Sequence, residues 1–335
     1  MKADVYAKLR EILDLHPSGA PKSKVFDKIL KILFTPEEAD RMLNALAEKV
    51  LVFCREKDGK RAYGLLPTVP GLFEYPFMRG ILTPELKKLG KLWDEYLGDG
   101  FSQSLAGAPT PAARVIPVER AVDTALRIYP YEEVKNIINS VDFIGLGQCA
   151  CRVSHRRCDK PTEACLFFDS PARFLVKNKY ARQISREEAL DVLKRADEAG
   201  LIHTSTNSAD RAGYICNCCK CCCVLLMGRT KFNIATAFAP SSFQVEIKSE
   251  ECIGCGICAD ERCHMGAIEI KFKAAVVNQD KCIGCGLCVT ACPTDALILT
   301  RRSAPPEIPA TSQEMLGKVL TEKGKFEQFM RLMKA

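Results

Sequence analysis

The chain has 335 residues, of which 47% are apolar and 19 are cysteine, and a formal net charge of +7. That apolar content can fill the cores of two or three domains, which excludes a disordered chain. The start, MKADVYAKLREILDLHP, has no apolar h-region or cleavage signal, and no run of about 18 apolar residues follows, so the expectation is a cytoplasmic protein without a membrane span. In a reducing compartment, closely spaced cysteines point to metal ligation or redox work instead of disulfides.

Residues 1–66 predict three short helices and a hairpin. VYAKLREILDL and KVFDKILKILF each carry one apolar helical stripe, and Thr35-Pro36-Glu37-Glu38 is a helix start with proline in the first turn. VLVFCREKDGKRAYGLL then reads as strand, Asp58-Gly59 turn and strand, the pattern of a winged helix. Cys54, on the first strand, reads as a core thiol. The helix that would enter a DNA groove, PEEADRMLNALAEK, sets Glu37, Glu38, Asp40 and Glu48 against Arg41 and Lys49. Phosphate neutralisation wants the opposite sign, so protein docking or packing is the expectation and nucleic acid is not the expected partner.

Residues 67–140 read as a helical connector. Thr83 caps and Pro84 opens a helix with Leu86, Leu89, Trp93, Tyr96 and Leu97 at core spacing, where Trp93 serves packing. GAPTPAARVIPVER reads as a proline-punctuated link and YEEVKNIINSV as a further helix. The connector carries no visible chemistry.

Residues 141–240 form a cysteine-rich α/β middle domain. A strand, VDFIGLG, runs into Cys149, Cys151, Cys158 and Cys165, and a helix capped by Ser185, with Glu188 in capping-box register, stops at Gly200. YICNCCKCCCVLL then places Cys216, Cys218, Cys219, Cys221, Cys222 and Cys223 within eight positions. A single segment cannot aim adjacent thiols at one cluster without a sharp turn, so metal ligands are expected from both segments, with neighbours such as Cys218 and Cys219 split between centres or shells. The content is expected to be iron–sulfur, with zinc as the alternative. His155 lies among these cysteines and reads as solvent-facing or backbone-bonded. GLGQCA imitates a dinucleotide fingerprint with Asp169 near the ribose-binding distance, but the loop is expected to run into cysteines and a proline instead of opening a helix.

Residues 241–302 contain a duplication: CIGCGICADERCHMGAIEI and CIGCGLCVTACPTDALILT. C-x-x-C-x-x-C wraps three thiolates round three irons of a cubane, and the glycines let backbone amides approach the sulfurs. These residues resemble the bacterial two-cluster 4Fe-4S ferredoxin family. The resemblance implies one cluster on Cys252, Cys255, Cys258 and Cys292, and another on Cys282, Cys285, Cys288 and Cys263, the fourth cysteine of each copy crossing over. The first copy departs in having four residues before Cys263 and His264 where proline is usual. Because each oxidised four-thiolate centre carries roughly −2, two of them would reduce the net charge to about +3, and the apparent basicity says little about partners. A linker and a C-terminal helix begun by Thr311-Ser312-Gln313-Glu314 fill residues 303–335.

YGLLPTVPGLFEYPF, RVIPVERAV, CACR, CLFF, REEALDVLKRADEAGLIH and ICNCCKCCC together resemble a family of cytoplasmic 4Fe-4S dicluster-domain proteins of anaerobic bacteria and archaea. The resemblance implies an α+β multidomain chain, two 4Fe-4S clusters and an electron-transfer role. The expectation is an electron carrier, or an electron-transfer subunit of an oxidoreductase, working with a redox partner protein and carrying a further middle-domain centre. The alternatives are a regulator in which cluster state controls the winged helix, and an oxidoreductase whose middle centre is catalytic.

Overall fold

A computed structural model describes residues 10, 13–14, 18–34, 52–57, 60–122 and 132–334, with backbone only for 53–57, 60–65 and 332–334. The first and third expected N-terminal helices fall largely or wholly outside these residues, as does the side chain of Cys54. The second is α1 (Lys24–Leu33), whose cap Ser23 accepts from the amides of Val25 and Phe26. β1 (Val52–Lys57) and β2 (Lys60–Leu65) pair antiparallel as the hairpin.

Thr83 and Pro84 start α2 (Pro84–Tyr96) as the sequence predicts. Its Tyr96 ring stacks on Phe26 of α1 at 4.5 Å, and Trp93 meets Phe73 edge-on at 5.3 Å. Trp93 is therefore packing, in a core that joins α1 and α2 to residues 66–78.

The proline-punctuated link contains a strand, β3 (Ala113–Ile116), which pairs with residues 203–206 and forms one edge of a six-stranded sheet. The other strands are β4 (Ile144–Gln148), β5 (Glu163–Phe168), β6 (Arg182–Ile184), β7 (Ile202–Thr206) and β8 (Tyr214–Cys218), in the order β3-β7-β8-β5-β4-β6. Every pairing is antiparallel, so the layout is α+β and not a βαβ arrangement. Helices α3 (Val134–Ser140), α4 (Ala150–His155), α5 (Asp169–Lys177), α6 (Arg186–Glu198) and α7 (Val224–Thr230) surround it. Ser185 accepts from the Glu188 amide at the start of α6, and Gly200 beyond its end has φ +66°.

One sheet face packs Leu146, Leu166, Phe168 and Ile215 against α3 and α6. Side chains alternate across a strand, so Tyr214, Cys216 and Cys218 of β8 share the opposite face. That face carries the cysteines and is covered by residues 72–78, α2 and α7.

The C-terminal duplication forms two small antiparallel pairs. β9 (Phe243–Ile247) pairs with β12 (Leu297–Arg301), and β10 (Ile268–Lys271) with β11 (Ala274–Val277). One hydrophobic core runs from this module into the sheet, containing Cys258, Cys282 and Cys288 together with Ile202, Cys218 and Cys223. α8 (Ser312–Glu322) follows, with Thr311 capping the Glu314 amide.

Candidate metal centres

The two ferredoxin-like copies build matching loops. Gly254 and Gly284 both have φ +65°, and Gly256 and Gly286 have φ +83° and +81°, so each C-I-G-C-G turn uses the left-handed conformations that glycine tolerates. The turns gather thiols from both copies. Cys252, Cys255, Cys258 and Cys292 line one small cavity with Ile257, Ile270 and Pro293. Cys263, Cys282, Cys285 and Cys288 line a second with Ile202, Met265 and Ile283. Backbone amides reach the sulfurs: Ala267 N–H donates to Cys263 Sγ at 3.1 Å and Ala275 N–H to Cys252 Sγ at 3.4 Å. Desolvation raises Cys292, but amides of Thr294, Ala296 and Leu297 and the Thr294 hydroxyl outweigh it and hold the thiol below its ordinary value. Burial pushes Cys285 up to about 12, the cost of a dry pocket that ligation to a cation would offset.

His264 has a structural role. Its Nε2–H donates to the Gly200 carbonyl at 2.7 Å, while Arg262 donates to the carbonyls of Asp197 and Glu198 at 3.1 Å. Those two side chains clamp the first ferredoxin-like copy to the end of α6. Thr290 adds a 2.9 Å bond to Asp197, a buried carboxylate that also pairs with Arg120.

All ten middle-domain cysteines lie near one another, and they fall into two groups. Cys158, Cys219, Cys221 and Cys222 form the only set of three or more candidate ligand atoms, among the described residues, that all lie within 4.8 Å of one another. Hydrogen bonding from Cys222 leads the causes that hold Cys219 down at about 5; burial opposes it, while Cys221 and Arg152 assist. The other six affect one another's ionisation: Cys149 with Cys151 and Cys165, Cys151 with Cys223, Cys223 with Cys218, Cys218 with Cys216, and Cys216 with Cys165, while the charge of Cys149 also reaches Cys218 and Cys223. Each group draws on both cysteine segments, and Cys218 and Cys219 fall on opposite sides of the division, but the adjacent Cys221 and Cys222 share the compact group, against the expectation that neighbours split.

Arg152 lies between the groups. It is 2% exposed, and its Nε donates to Pro161 O at 2.8 Å and Nη1 to Asn217 O at 2.7 Å, with Cys219 Sγ 4.0 Å away. Its Nη2 has no hydrogen-bond partner among the described residues. Burial opposes the guanidinium charge, and the thiols of Cys149, Cys165, Cys219 and Cys218 outweigh it. His155 is buried, not solvent-facing: Nδ1–H donates to the Cys151 carbonyl and Nε2 lies 2.9 Å from Asp94.

The connector places one carboxylate within reach of the thiols' charge. Glu74 accepts from the Gly71 amide at 2.7 Å, and desolvation, followed by the charges of Cys223 and Cys149, raises it to about 7 against that bond. The signal in the sequence was a lone carboxylate inside the apolar run GLFEYPF. Arg152 had a similar signal, as the only charge in CACR.

A helix, α4, does open directly after GLGQ, contrary to the sequence expectation. Its strand β4 nevertheless runs antiparallel to both neighbours, and Asp169 Oδ1 already accepts from the amides of Asp142 and Phe143. A dinucleotide site has no support there.

Residues 275–298, which include Cys282, Cys285, Cys288 and Cys292, match the family model of the 4Fe-4S binding domain. Neither the curated proteins nor the solved structures gave a match to the chain. All eighteen described cysteines are free, and no described helix is long and apolar enough to cross a membrane. The chain thus carries a 4Fe-4S binding segment beside a cysteine-rich region with thiols enough to hold metal.

Proposed function

We propose that this is an iron–sulfur electron-transfer protein with two 4Fe-4S clusters, held by Cys252, Cys255, Cys258 and Cys292 and by Cys263, Cys282, Cys285 and Cys288, and with a further centre in the middle domain. The observation that carries the reading is the gathering of eight repeat cysteines into two mixed quartets, each lining its own apolar cavity. Bound clusters supply one-electron storage. The chain's part is to ligate them, to exclude water with the buried Ile202 and Ile283, and to donate amide hydrogens to their sulfurs. Continuity of the core from Cys282 through Ile202 to Cys218 supports a connection to the middle thiols. Ile202 and Cys218 are register partners on adjacent strands, so their side chains share a face. A redox partner protein completes the reading.

The test is Cys292→Ala against Cys263→Ala in the anaerobically prepared full chain. Each variant should lose about four irons per chain. Electron paramagnetic resonance of the remaining cluster should identify Cys292 with the 252/255/258 site and Cys263 with the 282/285/288 site. Loss confined to the sequence-local cluster in both variants would sink the crossover, and a wild-type chain without cluster signals would sink the function.

A further inference from the structure

We infer that the ten middle-domain cysteines make two sites of different chemistry: Cys158, Cys219, Cys221 and Cys222 bind one zinc ion, while Cys149, Cys151, Cys165, Cys216, Cys218 and Cys223 bind an iron–sulfur cluster of more than four irons. The inference deepens the electron-transfer reading by identifying the further centre, and rests on it only for the iron supply.

The first half follows from sulfur spacing. Four sulfurs on one tetrahedral ion, with metal–sulfur bonds of about 2.3 Å, stand about 3.8 Å apart. In the quartet, Cys158 is 3.8 Å from Cys219 and 4.0 Å from Cys222, and Cys221 is 3.8 Å from Cys222. A cubane places each thiolate on a different iron, which spreads the sulfurs wider. The chain supplies its own comparison, because no three sulfurs of either ferredoxin-like quartet lie within 4.8 Å of one another. The 158/219/221/222 site is the compact exception. An all-thiolate tetrahedron with no open position suits a structural zinc, and this one joins the loop after α4 to the turn before α7. Arg157 braces it from outside, donating to the Cys221 carbonyl at 3.2 Å and to Asp94 at 2.8 Å.

The second half follows from number and spread. Among the described residues no three of the six remaining thiols lie within 4.8 Å of one another, so they do not converge on one ion. One terminal thiolate per iron is the rule of the cubane, and six thiolates exceed it. Arg152, whose Nη2 has no partner among the described residues, supplies a buried positive charge and a donor beside these thiols. An anionic cluster with sulfide acceptors meets both needs.

Metal and sulfide analysis of the anaerobically purified full chain tests the division. The expected result is about one zinc, with iron above about twelve per chain, of which about eight belong to the ferredoxin-like module. Cys222→Ser should release the zinc and keep the iron. Cys216→Ser and Cys165→Ser should lower iron and sulfide and keep the zinc. X-ray absorption at the zinc edge of the unmodified protein, which needs no variant to fold, should give four sulfur neighbours at about 2.3 Å. Iron in the compact quartet, iron limited to about eight, or unchanged iron in Cys216→Ser would each overturn the proposal. Failure of the ferredoxin reading would appear separately, in Cys292→Ala and Cys263→Ala.

Discussion

Glu74 illustrates how one half-buried residue feels the thiols around it. Its carboxyl is raised to about 7 chiefly by desolvation, so the folded chain holds this proton more tightly than the unfolded chain does. The stability it contributes is full below about pH 4.5 and is lost as pH rises through about 7. Glu74→Gln keeps an acceptor for the Gly71 amide and removes the charge. The variant should match the parent in acid and gain up to about 3 kcal/mol above pH 8, read from anaerobic urea unfolding across pH. A gain independent of pH would mean that Glu74 is already neutral, or that its charge is solvated after all. Arg152 answers the same need in the other sense, as a buried cation among thiols that favour its charge.

At the scale of elements, the ferredoxin-like turns are tightly constrained backbone. A Cβ on Gly284 would stand 2.0 Å from the Phe243 carbonyl oxygen, and one on Gly254 would stand 2.5 Å from that of Lys273. Neither neighbour can rotate away, because both are backbone. Gly284→Ala should therefore cost at least about 2 kcal/mol and reduce iron retention, whereas Gly317→Ala inside α8, with its nearest neighbour 3.9 Å away, should be neutral or stabilising by about 0.5–1 kcal/mol. Thermal unfolding with iron analysis separates the two outcomes, and equal effects would refute the role of the turn. Local rules made much of this level legible in the sequence. Thr83, Ser185 and Thr311 cap the helices they announce, since a cap depends on residues three positions apart. β3 was hidden because its four residues between prolines have no local signature. They become a strand only through partners at 203–206, nearly a hundred residues away.

For the whole molecule, sequence periodicity suggested modules in a row, while the structure joins them through shared cores. The cysteine repeat marked the 4Fe-4S binding segment. The Cys218/Cys219 split was legible, but the membership of the compact group was not, because it depends on which strand face and which turn each thiol occupies. Val118 N–H donates to the Cys285 carbonyl at 2.9 Å, and Arg302 donates to that of Cys282 at 2.7 Å. A Cβ on Gly286 would meet Ala121 at 2.6 Å. A chain cut after Pro240 would therefore expose Ile202, Phe238 and the inner side of β3, and the full chain is the proper object for metal analysis. The same continuity sets the course of unfolding when metal is removed, since metal binding energy is also folding energy. Modules in a row would have residues 245–300 open first. With the shared core, chelation under air should open residues 113–122 together with 245–300. The opposite sheet face, where Leu146, Leu166 and Ile215 pack on α3 and α6 without any cysteine, should stay protected longer. Limited proteolysis with mass mapping reads the order directly. Early release of 245–300 with 113–122 still protected would show that the module folds independently, and loss of the α3–α6 face at the same rate would show that no part of the sheet is stable without metal.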